Sequence, residues 1–367
     1  MPVAAIAVVA AAIGAGPVIA AVQGEPTLPA RTAQQLLADA AQATRSGMKP
    51  MSGTVIQTAS LGLPGLPDIS GMGGSSPAAL LAGSHELKVW YGGADRLRLA
   101  LPGRMSETDL IVNGDQVWLW QSETSEATRI RGVDPEAQNK HATALPSATT
   151  PQQAAQEVLS RAATDTVVSV SNTERVADRP AYQLALAPKD GASLVREVRL
   201  ALDGETFVPL RVQVYAKNAA EPAFEVGFTS VTFTPPAAEN FTFTPPAGAK
   251  VTERAADEFS KQEQARQERE RTLKDKAKVV GQGWTSVAVL PFSVKDLTAN
   301  PSQNADGAAE DANAIAGALL RSAKQVSGPW GSGKVIQTKL LSALLTDDGR
   351  LLVGAVTPER LQEAAAS

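Results

Sequence analysis

Apolar and polar residues alternate with a period of two through much of the stretch from Val176 to Val251. Val195, Val198, Leu200 and Leu202 fall mostly on one side, with Arg196, Glu197 and Arg199 between them, as in strands that bury one face. Leu202-Asp203-Gly204-Glu205 supplies turn chemistry and Pro209 to Val214 resumes the alternation, which predicts a hairpin. The same signature recurs upstream. His85 to Leu101 reads as two strands about a Gly92-Gly93-Ala94-Asp95 turn, and Arg104 to Trp120 as two more about Asn113-Gly114. Ser52 to Ser60 and Thr166 to Val176 are further strands. Within Val117 to Trp120, Trp118 and Trp120 point to one face and Leu119 to the other.

Helical spacing is rarer. In Thr32 to Arg45, Thr32 is placed to cap, Ala33, Leu36, Leu37, Ala40 and Ala41 share a face, and Gly47 stops the helix. Thr150-Pro151 opens a second helix running to about Ala163, with Ala155, Val158 and Leu159 on one side. Leu61 to Gly83 follows neither period. It is rich in Gly and Pro yet carries Leu61, Leu63, Leu66, Ile69 and Met72, too apolar for an ordinary solvated loop. It reads either as a lid over an apolar pocket or as an insertion whose leucines dock on the sheet.

Beyond Val251 the pattern changes. Glu253 to Lys278 is nearly all charged or Gln, with pairs such as Glu270 and Lys274 but no apolar stripe, which predicts a solvated linker helix. From Gly283 apolar runs return: a strand in Trp284 to Phe292, a helix over Ala308 to Gln325, and strands over Lys334 to Leu345 and Leu351 to Val356. Thr357-Pro358-Glu359 opens a last short helix. The chain therefore divides into a leader (1–24), a sheet domain (25–251), a charged linker (252–282) and a small αβ extension (283–367). The extension either stands alone or adds strands to an open sheet edge.

Composition narrows the chemistry. A hydrophobic content of 43% supports a core, while 4% aromatics leaves the packing to Ala, Leu and Val. With 34 basic and 38 acidic residues no broad basic field exists, which argues against a nucleic-acid partner. The absence of Cys excludes disulfides, thiolate metal sites, cysteine nucleophiles and a lipid-modified Cys. Val3 to Val22 is apolar and uncharged, is interrupted by Gly14, Gly16 and Pro17, and has small residues at Ala20-Ala21. It reads as an export segment, either a secretory signal or an N-terminal membrane anchor, although no Lys or Arg precedes the apolar run.

Catalytic and cofactor chemistry find no footing. His85 and His141 are the two histidines, at a strand start and in a loop, without a recognisable nucleophile context. Metal-ligand spacings are missing, so no catalytic residue, metal or cofactor is assigned. Gly328-Pro329-Trp330-Gly331-Ser332-Gly333-Lys334 has the spacing of a phosphate-binding loop. Val335 stands where Ser or Thr should hold magnesium, a helix is expected before it and a strand-like run after it, the reverse of what a phosphate cradle requires. It reads as a Gly-rich turn between helix and strand with Trp330 packed down.

The order V-A-D-R-P-A-Y-Q-L-A-L-A-P, V-R-L-A-L-D-G-E-T-F-V-P-L-R-V, F-T-S-V-T-F and F-T-F-T-P-P-A-G-A-K-V resembles the LolA-like lipoprotein-carrier superfamily. Relatives of that superfamily include RseB/MucB-type regulators of envelope stress and actinobacterial lipid carriers. The resemblance covers roughly Ala30 to Val251 and rests on strand order and turn dipeptides. One departure is Asp178, which stands where the family usually has Gly before Arg-Pro. The resemblance implies an α+β fold: a curved, half-open antiparallel β-barrel with helices on its concave, apolar face. It implies a non-enzymatic protein whose partners are the acyl chains of lipids or lipoproteins and the cell membrane. The expected apolar contacts are Leu36 and Leu37 on the first helix, Leu63 and Leu66 on the lid segment, and Trp118 and Trp120 on the sheet. Three readings stay open. The first is an exported carrier or chaperone. The second is an RseB-like sensor whose C-terminal part contacts a membrane regulatory protein such as an anti-sigma factor. The third is a structural envelope protein whose sheet is filled by its own side chains.

Overall fold

The computed structural model describes residues 28–45, 49–62, 82–103, 105–132, 150–151, 165–256, 268, 271–272, 275–292 and 317–367. The strands of the larger sheet begin with β1 (Met51–Ser60), β2 (Ala82–Gly93), β3 (Arg96–Pro102), β4 (Glu107–Asn113), β5 (Gln116–Gln121) and β6 (Glu126–Arg131). They continue with β7 (Thr166–Val176), β8 (Arg179–Pro188), β9 (Val195–Asp203), β10 (Pro209–Ala216), β11 (Pro222–Thr232) and β12 (Lys250–Ala255). The order across the sheet is β12-β6-β5-β4-β3-β2-β1-β11-β10-β9-β8-β7. It is a large, mainly antiparallel sheet with two edges, β12 and β7, rather than a closed barrel.

The predicted hairpins form where the turn residues place them. Asn113 pairs with Gln116 across a turn in which Gly114 takes a left-handed φ of 62°. The Leu202–Glu205 turn joins β9 to β10, with Leu202 opposite Pro209. The departure at Asp178 has a local answer. Ala177 and Asp178 both adopt left-handed φ, at 50° and 60°, so a two-residue turn closes β7 on β8 without glycine. Arg175 Nη1 donates to the Asp178 carbonyl at 2.8 Å across it.

Helix α1 (Ala33–Arg45) starts at Thr32 as expected. Gln35 N–H donates to Thr32 Oγ1 at 3.2 Å and Thr32 N–H to Gln35 Oε1 at 2.9 Å, a reciprocal cap that satisfies two otherwise orphaned amides. The second expected helix lies, beyond Pro151, outside the described residues, as does most of the Leu61–Gly83 segment.

Two strands of the larger sheet are absent from the sequence reading. Strand β6 is short and carries only Ala127 and Ile130 as buried positions. Strand β12 is exposed along its whole length and pairs with β6 in parallel, running through the position where the charged linker was expected to begin. Parallel neighbours need a crossover. Residues 233–249 supply it, as an irregular strap where the sequence reading expected more strand. The strap passes over β3 and β4 with one short 3₁₀ turn at Ala238–Phe241.

The C-terminal part builds its own sheet, ordered β13-β14-β18-β17-β16-β15. Its strands are β13 (Lys278–Val280), β14 (Val287–Pro291), β15 (Lys324–Gly328), β16 (Gly331–Gln337), β17 (Ser342–Thr346) and β18 (Arg350–Gly354), closed by helix α2 (Pro358–Ala365). Three expectations are corrected here. The helix expected to reach Gln325 gives way to β15 at Lys324. The single strand over Lys334–Leu345 is two, because Thr338 Oγ1 accepts the Leu340 and Leu341 amides and turns the chain. The Gly-rich run is a strand-to-strand turn with Gly328 opposite Gly331, so no helix N-terminus exists there to cradle phosphate. Leu344, Leu352, Val356 and Leu361, all fully buried, form its small core.

The two sheets are joined through backbone. Ser193 bridges to Val356, Leu194 N–H donates to the Ala355 carbonyl at 2.8 Å, and Thr357 N–H to the Ala192 carbonyl at 3.0 Å. Trp284 Nε1 donates to Thr166 Oγ1 at 2.8 Å, while Leu340 enters the larger core. Lys339 reaches the end of β1 twice, through its N–H to the Leu61 carbonyl and its Nζ to Ser60 Oγ, both at 2.8 Å.

Candidate functional site

The alternation in β2–β6 sorts the side chains into two unlike faces. On one, Leu87, Val89, Leu97, Leu99, Leu110 and Val112 are buried and belong to one continuous apolar cluster. Val117 and Ile130 extend it, and cross-strand pairs such as Val89 with Leu99 and Leu97 with Val112 keep it in register. Leu36 and Ala40 of α1, both fully buried, are in this cluster, and Leu37 packs against it half-buried.

The other face is aromatic and charged. Trp118 stands opposite Ile111 and Trp120 opposite Asp109, so the two tryptophans share a face as predicted. That face is not the one α1 joins. The strap fills it instead, with Phe243 ring to ring against Trp118 at 5.4 Å and Trp120 at 5.9 Å. Phe241, 1% exposed, lies so close over β2 that a methyl on Gly92 would sit 3.0 Å from its ring. Arg129 lies over Trp118 at 5.3 Å and Arg98 over Trp90 at 5.4 Å. Of the six residues expected to line a cavity, then, Leu36 and Leu37 are brought together, and Trp118 and Trp120 lie across the sheet from them. Leu63 and Leu66 lie outside the described residues.

Asp109 is the most perturbed carboxyl on the aromatic face. Its Oδ2 accepts from Arg98 Nη2 at 2.7 Å, but its buried Oδ1 and the buried Arg98 Nε have no hydrogen-bond partner. Burial pushes its pKa up to about 6, neighbouring Glu107 adds to the rise, and Arg98 only partly offsets it. Asp203 shows the contrary balance. Burial pushes its pKa up, but Arg179 and Thr206 outweigh that and hold it below the ordinary carboxylate value. Its Oδ1 accepts from Thr206 N–H and Thr206 Oγ1 at 2.8 Å each, and Arg179 grips both oxygens from the side.

A concavity of about 280 Å³ lies where the β7–β8 turn meets β1, β10 and β11. Ile56, Val176 and Ala177 are among its apolar lining, and Arg175, Arg211 and Glu225 bring charge. Sequence reading missed it, because its residues are spread over four strands and carry no common motif. Among the described residues no cluster of His, Cys, Asp or Glu is placed to hold a metal. No described helix is long and apolar enough to cross a membrane.

No family model and no curated protein matches the sequence. Solved structures do. The complex of Pseudomonas aeruginosa MucA and MucB matches at 14% identity and a TM-score of 0.39, over 91% of this chain and 96% of the other. LprF from Mycobacterium bovis matches at 10% identity and 0.30, over 60% and 99%. A LolA superfamily protein from Nitrosomonas europaea matches at 13% identity and 0.22, over 58% and 99%. The last of these is a LolA superfamily protein, the superfamily that the sequence resembles. At such identities and TM-scores no residue role transfers from them.

Proposed function

We propose that this chain is an exported, non-enzymatic carrier that shelters acyl chains of a lipid or lipoprotein against the apolar face of its larger sheet. The carrying observation is the asymmetry of β2–β6. The chain closes the aromatic face with its own strap, while the leucines and valines of the opposite face join the larger apolar cluster that Leu36 and Ala40 of α1 also enter. In this reading Leu36 and Leu37 contact the acyl chain, Leu63 and Leu66 cover it, and residues 1–24 direct export to the cell envelope and its membrane. Trp118 and Trp120 brace the sheet from behind through Phe243. An acyl chain of about 16 carbons gains on the order of 12 kcal/mol gross on burial. The costs of association and ordering reduce the net to far less. A regulator that binds a membrane partner protein is the second reading, favoured by the mostly exposed residues on the open β15 edge.

The test is extraction of the chain, purified without detergent, into organic solvent and mass spectrometry of the extract. Near-stoichiometric lipid is expected, lost in Leu37→Glu and kept in Trp118→Ala, with both variants folded by circular dichroism. A lipid-free parent protein would sink the reading and move the assignment to the partner-binding regulator.

A further inference from the structure

The cavity under the β7–β8 turn is built differently from the apolar face. Ile56, Arg211 and Gly227 occupy the side of the sheet opposite Val55, Val212 and Val226, by the register of β1, β11 and β10. Gly227 is bare for a reason: a Cβ there would sit 2.8 Å from Arg211 Cγ, so the arginine stem lies flat across β11. The strands also break register beside it, where Thr229 is an extra residue between the pairs Thr54–Ser230 and Val55–Phe228. The tight, glycine-free turn then holds Arg175 over the opening.

The donors there are under-used. Arginine offers five N–H groups. Arg211 spends one on Glu174, at a long 3.4 Å, and Arg175 one on the Asp178 carbonyl. The acidic lining residue, Glu225, is engaged by Gln213 Nε2 at 3.0 Å. Two arginines with donors to spare therefore line a concavity whose apolar lining on that side includes Ile56, Val176 and Ala177. Its volume of about 280 Å³ falls just below the usual range for ligand pockets, which bounds the ligand to a short chain.

We propose that this cavity binds the anionic head of a small amphiphile, a carboxylate or phosphate ester on a short apolar body. Arg211 and Arg175 donate to the head, and Ile56, Val176 and Ala177 take the chain. The site is separate from the apolar face and stands whether or not that face carries lipid.

The probes are octanoate and hexyl phosphate, titrated separately into the full chain by calorimetry, with octyltrimethylammonium as the cationic counterpart. Saturable binding of at least one anion is expected, with none of the cation. Losing the charge-assisted bonds in Arg211→Gln should weaken binding by roughly tenfold or more, and Arg175→Gln should weaken it less. Octanoate alone binding assigns a free carboxylate, and hexyl phosphate alone assigns a phosphate head. Arg211→Lys keeps the charge and replaces the Gln variant if that one does not fold. Equal binding by parent and arginine variants, or no saturable binding of either anion, would overturn the proposal.

Discussion

Toward one edge of the twelve-stranded sheet Arg179 grips Asp203, and toward the other Arg98 grips Asp109. Both aspartates are almost fully buried, at 1% and 2% side-chain exposure. Asp203 sits in a turn whose backbone and Thr206 hydroxyl point at it, so every oxygen is used and the charged form is favoured. Asp109 sits mid-strand, where the backbone amides are committed to the ladder and only a side chain can reach it. One of its oxygens is orphaned and the charged form is disfavoured. A buried ion pair is stabilising only when the remaining lone pairs are satisfied, and turns can do that where strands cannot.

The comparison breaks most visibly at Asp203. Asp203→Ala leaves Arg179 without its main partner and frees the turn amides, and should destabilise by about 3–5 kcal/mol in urea unfolding. A loss below about 1 kcal/mol would show that the turn holds itself. With its pKa lowered, Asp203 contributes stability that is present above the ordinary carboxylate pKa and lost as pH falls through its depressed folded value.

Asp109 sharpens the contrast because its sign is reversed. A folded pKa raised to about 6 means that its contribution is fully present below the unfolded value and lost as pH rises through about 6. The shift corresponds to up to ~3 kcal/mol between pH 4 and 7. Asp109→Asn should flatten that part of the stability–pH curve, measured by urea midpoints at several pH values. A variant curve parallel to the parent would place the titration elsewhere.

The smallest effect is expected where the two sheets meet. Trp284→Phe removes one hydrogen bond to Thr166 and keeps most of the ring contact, for a loss of about 1 kcal/mol in the same assay. If unfolding instead becomes biphasic, the C-terminal sheet is a separately cooperative unit.

The hairpins and α1 were legible because their signals are local. Gly114 supplies the left-handed backbone of its turn, Thr32 and Gln35 cap each other, and alternation in Val195–Leu202 marks a buried face. Strand β12 was illegible because its residues are those of a solvated segment, and only its pairing with β6 makes it a strand. The same holds for Trp118 and Trp120. Sequence placed them on one face but had no means of saying which face, since that depends on where the strap carries Phe243.

Sequence by itself determined the turns, the strand count through most of the larger sheet, the helix start and the absence of cysteine chemistry. Each of these depends on neighbours within a few residues, whose steric and hydrogen-bonding demands are met or violated locally. The tertiary structure decided which face of β2–β6 joins the larger apolar core and which the strap covers. It also decided that the C-terminal sheet is tied to the first through Ser193 and Val356, and that Arg175 and Arg211 line one concavity. Those outcomes depend on contacts between residues tens to hundreds of positions apart. A period of two records that a strand has two faces, not what will cover each.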